Sequence, residues 1–384
     1  MEHYDVVVVG GGPAGAISAA YAAHAGAKVL LLERTRRAPA RCTGLVSPWT
    51  IDLLQVPQSL ILREIHGVRV HSPGGRTLEL SASEAKAYVI DRTSLDELLL
   101  ARAREAGVEV RRGVAATGLA DTTLHTTAGP VGFSVLVGAD GPISSVARWS
   151  GLPRSQELLV GLQAILRFEA EERLVQVFLG QNVAPGFFAW AVPAGEGELR
   201  VGLATDSGKE AGRLLAKLLK TRFPGAEARG QVGGLIPIGP PPRTVKGSVL
   251  LVGDAAGQVK PTSGGGLYFL ALCAEIAGEL AARGPEALSE YESAWRRKIG
   301  EELSFGLKAR RILTRLTDQE IDRALVALDD PKLLEFLAHV ADIDHPSRLV
   351  STVLGRPALW SRFLPVVEAL GGWSRVRGLL AGLS

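Results

Sequence analysis

Residues Tyr4 to Gly15, YDVVVVGGGPAG, form the stretch that decides the fold of this chain. The apolar run Val6 to Val9 predicts a buried parallel strand. It leads directly into an Ala-rich helix through glycines with the G-x-G-x-x-G spacing: Gly10, Gly12 and Gly15. In that motif the glycines allow a tight turn, let the backbone approach a pyrophosphate and let the helix pack closely on the strand. The stretch therefore predicts a dinucleotide site, and the alternative is a glycine-rich turn without a ligand.

A second predicted strand supports the dinucleotide interpretation. The segment KVLLLE ends at Glu33, about 20 residues after the glycine turn, where dinucleotide-binding domains place the carboxylate that binds a ribose. The first helix also presents free backbone N–H groups and the positive end of its dipole at its N-terminus, which favours a phosphate there.

Composition sets the class of protein. The chain has 384 residues, of which 46% are apolar and 22% charged, as in a globular protein long enough for two domains. Its net charge of +3 is too small to indicate a nucleic-acid partner. Cys42 and Cys273 lie far apart, which argues against a disulfide framework and favours a cytoplasmic location. The first strand begins by residue 4 and Glu275 and Glu279 interrupt the most apolar stretch, 264–282, so we expect no targeting peptide and no membrane span.

The chain changes pattern along its length. Residues 158–204 alternate apolar and polar side chains, which predicts an antiparallel sheet. The strand–turn–helix pattern returns at residues 247–266, and the chain is predicted to be helical from Pro285 onward. We therefore predict an α/β protein (α+β overall) with a discontinuous Rossmann-like domain, an inserted antiparallel-sheet substrate domain and a helical C-terminal region, at residues 1–60, 86–155 and 236–284; 61–85 and 156–235; and 285–384, respectively.

Three glycine–aspartate stretches narrow the ligand. They are GGGPAG at 10–15, GADGPISSVAR at 138–148 and LLVGDAAGQVKPTSGGG at 250–266. Each pair of glycine and aspartate alone is equally well explained as a turn. Together, and in this order, the stretches resemble the para-hydroxybenzoate hydroxylase-like flavoprotein superfamily. The resemblance implies bound FAD, with Glu33 on the adenosine ribose and Asp254 on the ribityl chain and phosphates.

Within that superfamily the chain is similar to the geranylgeranyl reductase family over nearly its whole length. The likeness is carried by ARCTGL around Cys42, VIDRTSLDELL around Arg92, FFAWAVPAGEGELRVGLA around Trp190 and VGDAAGQVKPTSGGGLYFL. The C-terminal segments YESAWRRKIGEEL, LKARRILTRLTDQEID and HVADIDHPSRL agree with it. The motifs and the resemblance together predict these FAD-binding residues: Gly10, Gly12, Pro13, Ala14, Gly15, Glu33, Arg34, Arg41, Cys42, Gly44, Arg92, Ala116, Asp140, Gly141, Gly253, Asp254, Pro261, Gly264, Gly265, Gly266 and Leu267.

The resemblance implies an FAD-dependent reductase that saturates C=C bonds of a long isoprenoid chain by hydride transfer from reduced flavin. The substrate is then an isoprenoid lipid, diphosphate or quinone, and it needs an apolar tunnel because it offers only apolar surface. Phe188, Trp190 and Pro193 are the candidate substrate residues, and ordinary sheet core is the alternative. Cys42 resembles the family's cysteine near the flavin ring and is the candidate catalytic residue; the alternative is a small, half-buried core residue. No metal site is predicted.

Other activities and the electron donor stay open at this point. An aromatic hydroxylase-like monooxygenase shares the three flavin stretches, and the F-x-W-x-V-P string is close to a motif of flavin-dependent halogenases, for which Lys86 is the nearest candidate lysine. A flavin-binding module without enzyme activity is a further alternative. The chain carries no second nucleotide motif, so the donor is either NAD(P)H that docks transiently or a ferredoxin.

The C-terminal helices suggest a membrane surface as a partner. Lys308, Arg310, Arg311 and Arg315 alternate with the apolar residues Phe305, Ile312, Leu313 and Leu316, and Trp373 lies beside Arg375 and Arg377. For a lipid substrate this pattern favours peripheral contact with an anionic membrane, on the inner face of the cell membrane. The alternative is that these helices pack on the protein and expose basic faces to water. No pattern indicates an oligomeric state.

Overall fold

The computed structural model describes residues 1–36, 41–171, 173–195, 197–354 and 356–375. The chain divides into two compact units, each assembled from three segments. Unit 1 comprises Met1–Ala40, Arg92–Leu158 and Ile236–Leu303, and unit 2 comprises Arg41–Asp91, Leu159–Leu235 and Ser304–Ser384. The units share the discontinuous plan of the predicted domains but differ at the boundaries. Residues 41–60, predicted in the nucleotide domain, belong to unit 2, and the predicted helical region 285–384 is divided between the units within a single helix.

The strands are β1 (His3–Val9), β2 (Val29–Glu33), β3 (Leu45–Val46), β4 (Ile61–Ile65), β5 (Gly67–His71), β6 (Thr77–Ser81), β7 (Ala87–Ile90), β8 (Glu109–Arg112), β9 (Ala116–Ala120), β10 (Thr123–Thr126), β11 (Val131–Gly138), β12 (Glu157–Arg167), β13 (Leu174–Phe178), β14 (Ala189–Pro193), β15 (Glu198–Thr205), β16 (Glu227–Ile238), β17 (Val245–Lys246) and β18 (Val249–Leu251). The helices are α1 (Pro13–His24), α2 (Pro48–Leu54), α3 (Arg92–Glu105), α4 (Ser145–Ser150), α5 (Ala211–Arg222), α6 (Leu267–Ala282), α7 (Leu288–Leu313), α8 (Asp318–Leu328), α9 (Pro331–Val340), α10 (Ser347–Leu354) and α11 (Pro357–Ala369).

Unit 1 is built on a sheet with the central order β18-β11-β1-β2-β8, whose neighbouring strands run parallel. Residues Val6 to Val8 of β1 and Leu30 and Leu31 of β2 are fully buried. Such continuous apolar runs are typical of parallel strands, because helices cover both faces of the sheet. The predicted Rossmann-like fold is therefore confirmed.

Helices α1 and α6 of unit 1 pack together at very short range. Gly278 of α6 lies against α1, and a Cβ atom built on it would lie 2.4 Å from the carbonyl oxygen of Ser18. Only glycine fits there, since a real Cβ cannot approach backbone so closely. The crossing holds the two helices in one fixed arrangement.

Unit 2 is built on a seven-stranded sheet with the order β16-β12-β15-β14-β13-β5-β6. Strands β12, β15, β14 and β13 pair antiparallel, as predicted, whereas β13 and β5 pair parallel. On one face, Ala189, Ala191 and Leu203 pack against α5. On the other face, Trp190 and Val192 pack against the small sheet β3-β7-β4. Because neighbouring residues of a strand point to opposite faces, β14 contributes to both cores.

The C-terminal helices pack at the β6 edge of this sheet. Leu78 of β6 contacts Leu316, Ile321 and Leu325 in one buried cluster. Thr317 caps α8, accepting from the Glu320 N–H while the Glu320 carboxylate accepts from the Thr317 N–H, an arrangement that fixes the start of the helix. No helix of the described residues is both long and apolar enough to cross a membrane.

Candidate cofactor-binding site

The glycine turn after β1 is held by contacts that no other residue permits. Gly10 has a φ of +111°, and a Cβ built on it would lie 2.2 Å from the carbonyl oxygen of Ala139. A Cβ on Gly15 would lie 1.9 Å from the carbonyl oxygen of Gly10. The first and third glycines of the motif therefore pack the end of β1 against the end of β11 and against α1.

The middle glycine has a different environment. A Cβ on Gly12 would meet no atom within 4 Å. Gly12 precedes Pro13 at the first position of α1, and no side chain caps this helix. The helix N-terminus therefore faces open space with its positive dipole end, and an anion can approach it there.

Glu33, at the end of β2, is tied to the same turn. One carboxylate oxygen accepts the Gly11 backbone N–H at 2.8 Å, and the other accepts the backbone N–H and the hydroxyl of Thr35 at 2.8 and 2.6 Å. The side chain is half-buried, and a carboxylate has further lone pairs for ribose hydroxyls. Glu33 thus lies beside the glycine turn, as its spacing predicted.

Asp254 of unit 1 has an unusual electrostatic environment for a carboxyl group. Burial raises the pKa of its carboxyl from 3.8 to about 6, and the charge of Arg92 partly opposes this rise. No described residue donates a hydrogen bond to the carboxylate. A half-buried acid left without donors is costly for the free protein and indicates a place where a ligand supplies them.

The backbone next to Asp254 is held by contacts of Gly253. Gly253 has a φ of +67°, and a Cβ on it would lie 2.7 Å from Cβ of Ala14 at the start of α1. The Gly253 N–H donates to the side-chain oxygen of Gln258 at 2.7 Å, and the Gln258 amide donates to the Tyr291 hydroxyl at 3.2 Å. Gln258 and Tyr291 are fully buried, so this support is rigid. Both residues lie in stretches that the sequence analysis quotes, but their supporting roles were not predicted.

The glycine loop before α6 lies next to Asp254. The N–H of Gly264, whose φ is +70°, donates to Lys260 at 2.9 Å, and the Lys260 N–H donates to Gly265 at 3.0 Å. A Cβ on Gly266, where α6 begins, would lie 3.5 Å from a carboxylate oxygen of Asp254. Unit 1 thereby brings together the N-termini of α1 and α6 and the side chains of Glu33 and Asp254. The remaining predicted residues of this loop, Pro261 and Leu267, are buried.

Arg92 begins α3 and is largely buried. Its guanidinium forms an ion pair with Asp96, one turn further along the helix, at 2.9 Å. Its charge also stabilises the ionised form of Asp254. Arg34 is exposed after β2, and Ala116 is half-buried at the start of β9, packed against the sheet core. Their assignment to FAD stays a prediction.

Asp140 of the second glycine–aspartate stretch has a local role. One carboxylate oxygen accepts the Ser144 hydroxyl at 2.6 Å, and the other accepts the N–H groups of Ser145 and Val146 at 2.7 and 3.1 Å. Asp140 therefore satisfies the start of α4, and Gly141, with a φ of +83°, completes the turn. This arrangement is the turn alternative, and FAD binding by Asp140 and Gly141 stays a prediction.

In unit 2, residues 41–44, which we call the Cys42 loop, precede β3. They lie on the face of the seven-stranded sheet that carries Trp190. The Cys42 thiol is half-buried and its sulfur accepts the Gly44 N–H at 3.4 Å, where Gly44 has a φ of +82°. Arg41 is exposed. The loop is joined to Trp190 through Gln163, whose side-chain oxygen accepts from both the Thr43 hydroxyl and the indole N–H. The sequence placed Cys42 and Trp190 far apart, and the fold brings them together.

The predicted substrate residues have different environments. Phe188 and Trp190 are half-buried, with ring centroids 6.1 Å apart, and Phe188 stacks on Phe187 at 4.3 Å. Pro193 is buried at the end of β14. Arg310 of α7, itself buried, donates to the carbonyl oxygen of Gly186 at 2.8 Å and supports the segment from a helix that the sequence interpretation did not connect to it. Lys86, the halogenase candidate, pairs with Glu84 at 2.8 Å.

Unit 1 passes a chemical test for FAD. Its open helix N-terminus is free to accept an anion, the half-buried Asp254 lacks donors of the kind that polyol hydroxyls supply, and Glu33 lies beside the glycine turn. Among the described residues, no cluster of three or more His, Cys, Asp or Glu side chains could hold a metal ion.

The chain is similar to several known proteins. A family model described as FAD dependent oxidoreductase matches residues 5–125. A digeranylgeranylglycerophospholipid reductase from Methanothermobacter thermautotrophicus is 36% identical over 360 residues, which cover 86% of this chain and 93% of that protein. The chain belongs to the geranylgeranyl reductase family of FAD-dependent oxidoreductases.

Two further proteins are similar to this chain, one in sequence and one in fold. A digeranylgeranylglycerophospholipid reductase from Methanocaldococcus jannaschii is 32% identical, over 85% of this chain and 91% of that protein. The structure of a geranylgeranyl bacteriochlorophyll reductase-like protein from Thermoplasma acidophilum matches with a TM-score of 0.79, covering 92% of this chain and 99% of that one at 23% identity. The family and fold class predicted from the sequence are confirmed.

Proposed function

We propose that this geranylgeranyl reductase family member saturates C=C bonds of a long isoprenoid chain attached to a glycerophospholipid. The observation that carries the proposal is the match along nearly the whole chain to relatives named digeranylgeranylglycerophospholipid reductase, combined with an FAD-compatible site in unit 1. An isoprenoid diphosphate and an isoprenoid quinone are the substrates to compare with the lipid.

The residues of unit 1 hold and orient the cofactor in this proposal. The start of α1 at Gly12 binds the pyrophosphate, Glu33 accepts from the adenosine ribose and Asp254 accepts from ribityl hydroxyls. Bound FAD supplies the hydride once it is reduced. Accepting hydroxyl donors lowers the cost of an ionised Asp254, so cofactor binding and ionisation of this carboxyl support each other.

The residues of unit 2 serve the substrate in this proposal. An isoprenoid chain is recognised by contact area alone, and the half-buried rings of Phe188 and Trp190 offer such area. The Cys42 thiol is the candidate proton source for the carbon that does not receive hydride. Excluding water from the reacting alkene is the second task of an apolar wall.

The electron donor and the membrane partner belong to the same proposal. We compare NAD(P)H with a reduced ferredoxin as the donor. For the membrane, the sequence pointed to α7 and the turn after it. Of the four apolar residues in that pattern, Phe305, Ile312 and Leu316 are buried and Leu313 is exposed. A better candidate for contact with an anionic surface is the pair Trp360 and Trp373, each 43% exposed with ring centroids 6.2 Å apart. Arg377 lies outside the described residues.

An anaerobic half-reaction tests the activity. The bound flavin is reduced, then mixed with a digeranylgeranylglycerophospholipid, with geranylgeranyl diphosphate or with a menaquinone, while flavin absorbance and product mass are followed. We expect reoxidation coupled to a gain of two hydrogens per double bond. Reoxidation that requires oxygen and an aromatic substrate would overturn the proposal and favour a monooxygenase.

A vesicle experiment tests the membrane contact. We expect the protein to co-sediment with anionic liposomes at low salt, and replacement of both Trp360 and Trp373 by Ala to weaken the binding. Absence of co-sedimentation by the unaltered protein would exclude this contact without affecting the proposed reaction.

A further inference from the structure

Thr43, next to Cys42, makes two hydrogen bonds to the seven-stranded sheet of unit 2. Its hydroxyl donates to the side-chain oxygen of Gln163 on β12 at 2.8 Å. Its carbonyl oxygen accepts from the guanidinium of Arg200 on β15 at 2.6 Å. Arg200 is in turn oriented by an ion pair with Glu198 at 2.9 Å. Both contacts of Thr43 lie next to Cys42, so they determine where the thiol lies.

Gln163 also binds the Trp190 indole, whose N–H lies 3.0 Å from the same side-chain oxygen. An indole nitrogen can only donate, so the atom of Gln163 that faces it must be the oxygen. The Thr43 hydroxyl, which lies next to this oxygen, must therefore donate as well. The chemistry of the partners thus fixes the orientation of the amide, and one acceptor holds two donors from distant parts of the chain.

The strand register explains why Trp190 can reach β12. Gln163 pairs with Gly202, and Gly202 pairs with Trp190, so the three residues form one row across the sheet. A Cβ on Gly202 would lie 2.6 Å from Cζ2 of Trp190. The missing side chain of Gly202 therefore lets the indole lie across the middle strand and reach Gln163, whose side chain is only 5% exposed.

We propose that Gln163 is a positioning residue that places the Cys42 thiol and the Trp190 ring together by sharing one side-chain oxygen between them. The inference rests on the proposed function for its meaning, since those two residues are the candidate proton source and substrate wall. Its structural content is independent of the reaction: without the Gln163 oxygen, Thr43 loses one of its two hydrogen bonds to the sheet, and the neighbouring Cys42 moves more freely.

Thiol alkylation of the native protein tests the proposal. N-ethylmaleimide modification at each cysteine is followed by mass spectrometry, with the fully buried Cys273 as the internal control for unfolding. We expect Gln163→Leu and Thr43→Val each to raise the alkylation rate of Cys42 about fivefold, the factor that corresponds to the loss of one hydrogen bond. The combined variant should add little to either single one, because both remove the same contact.

Two variants serve as matched comparisons. Gln163→Glu keeps an oxygen that accepts from both donors, so Cys42 should react at close to the original rate. Gln176→Leu removes another glutamine of the same sheet, whose side chain lies 2.9 Å from His71. It should therefore leave the alkylation rate of Cys42 unchanged. Cys42→Ser confirms which thiol is modified.

The outcomes separate a positioning role from an ordinary core role. If Gln163→Leu lowers only the thermal midpoint and Cys42 reacts at the original rate, the proposal is wrong. If that variant unfolds, Cys273 reacts too, and Thr43→Val, which keeps the Gln163–Trp190 bond, decides the question. Failure of the isoprenoid assay would overturn the proposed function while leaving the alkylation pattern as expected.

Discussion

The glycine turn of unit 1 and the Cys42 loop of unit 2 are held in place by opposite means. The turn depends on absent side chains: Gly10 and Gly15 fit only because a Cβ would collide with backbone oxygens. The loop depends on present side chains, namely the hydrogen bonds of Gln163 and Arg200 to Thr43. Steric exclusion leaves a strict residue pattern in the sequence, whereas a hydrogen bond between distant residues leaves none. The comparison therefore separates what a motif can reveal from what only the fold reveals.

The largest effect is expected for Gly15→Ala, which tests whether steric exclusion holds the glycine turn in place. The added Cβ would lie 1.9 Å from a backbone oxygen, so the turn must open, at a cost of more than about 3 kcal/mol in the free energy of unfolding. Urea denaturation of the FAD-free protein measures this. Gly12→Ala is the control, because its Cβ meets no atom within 4 Å and its stability cost should stay below about 1 kcal/mol.

The Gly12→Ala variant also tests whether the N-terminus of α1 binds FAD. Gly12→Ala fills the space in front of α1, so it should weaken FAD binding even though the free protein stays stable. A Gly12→Ala variant with unchanged FAD affinity would mean that the pyrophosphate does not approach this helix.

The next largest effect is expected for Asp254→Asn, and it depends on pH. Because the pKa of Asp254 is about 6 in the folded protein and 3.8 ordinarily, the native state holds a proton between these values that the unfolded chain has lost. Native stability therefore falls as the pH rises through this window. Replacing the carboxyl by an amide should stabilise the FAD-free protein by up to about 3 kcal/mol above pH 7 and have no effect near pH 4.

Asp140→Asn is the matched control, since this aspartate also follows a glycine-rich strand end. Its carboxylate is fully engaged at the start of α4, so its loss should destabilise the protein by about 1 kcal/mol at neutral pH. Thermal unfolding of both variants at two pH values measures the difference. If both substitutions stabilise or both destabilise the protein at neutral pH, the two aspartates do not differ in the expected way.

The smallest effect is expected for Glu33→Gln. The amide keeps an acceptor for the turn but loses the charge, so FAD affinity should fall by about tenfold, as expected for weakened charge-assisted hydrogen bonds. The product of the reaction should stay the same, because in the proposed site Glu33 binds the ribose end of the cofactor. Fluorescence titration with FAD and product mass measure the two quantities, and a changed product would contradict this placement.

The sequence predicted unit 1 better than unit 2, because steric constraints leave a local residue pattern and hydrogen bonds between distant residues leave none. A strand of Val and Leu followed by spaced glycines allows few structures, so the parallel sheet, α1 and the place of Glu33 followed from local pattern. Asp140 and Asp254 look alike in sequence, and only the neighbours supplied by the fold distinguish a helix cap from a half-buried acid without donors. Gln163 was not singled out, Gln258 was quoted in a flavin stretch without a role, and Arg310 was placed in a basic membrane-facing pattern, because only the fold shows what these side chains contact. Amphipathicity does not tell what covers a helix: of the apolar residues in the predicted membrane-contact pattern, Phe305, Ile312 and Leu316 are buried and Leu313 is exposed.

The close crossing of α1 and α6 has a mechanical consequence. Gly278 lies three turns, about 18 Å along the helix, from Gly266, where α6 meets Asp254. Any side chain larger than a hydrogen at Gly278 would wedge the helices apart, and a stiff helix transmits such a displacement along its whole length. The relative position of the α1 and α6 N-termini therefore depends on a contact far from both of them, and in the proposed site a methyl group at Gly278 would weaken FAD binding without touching the cofactor.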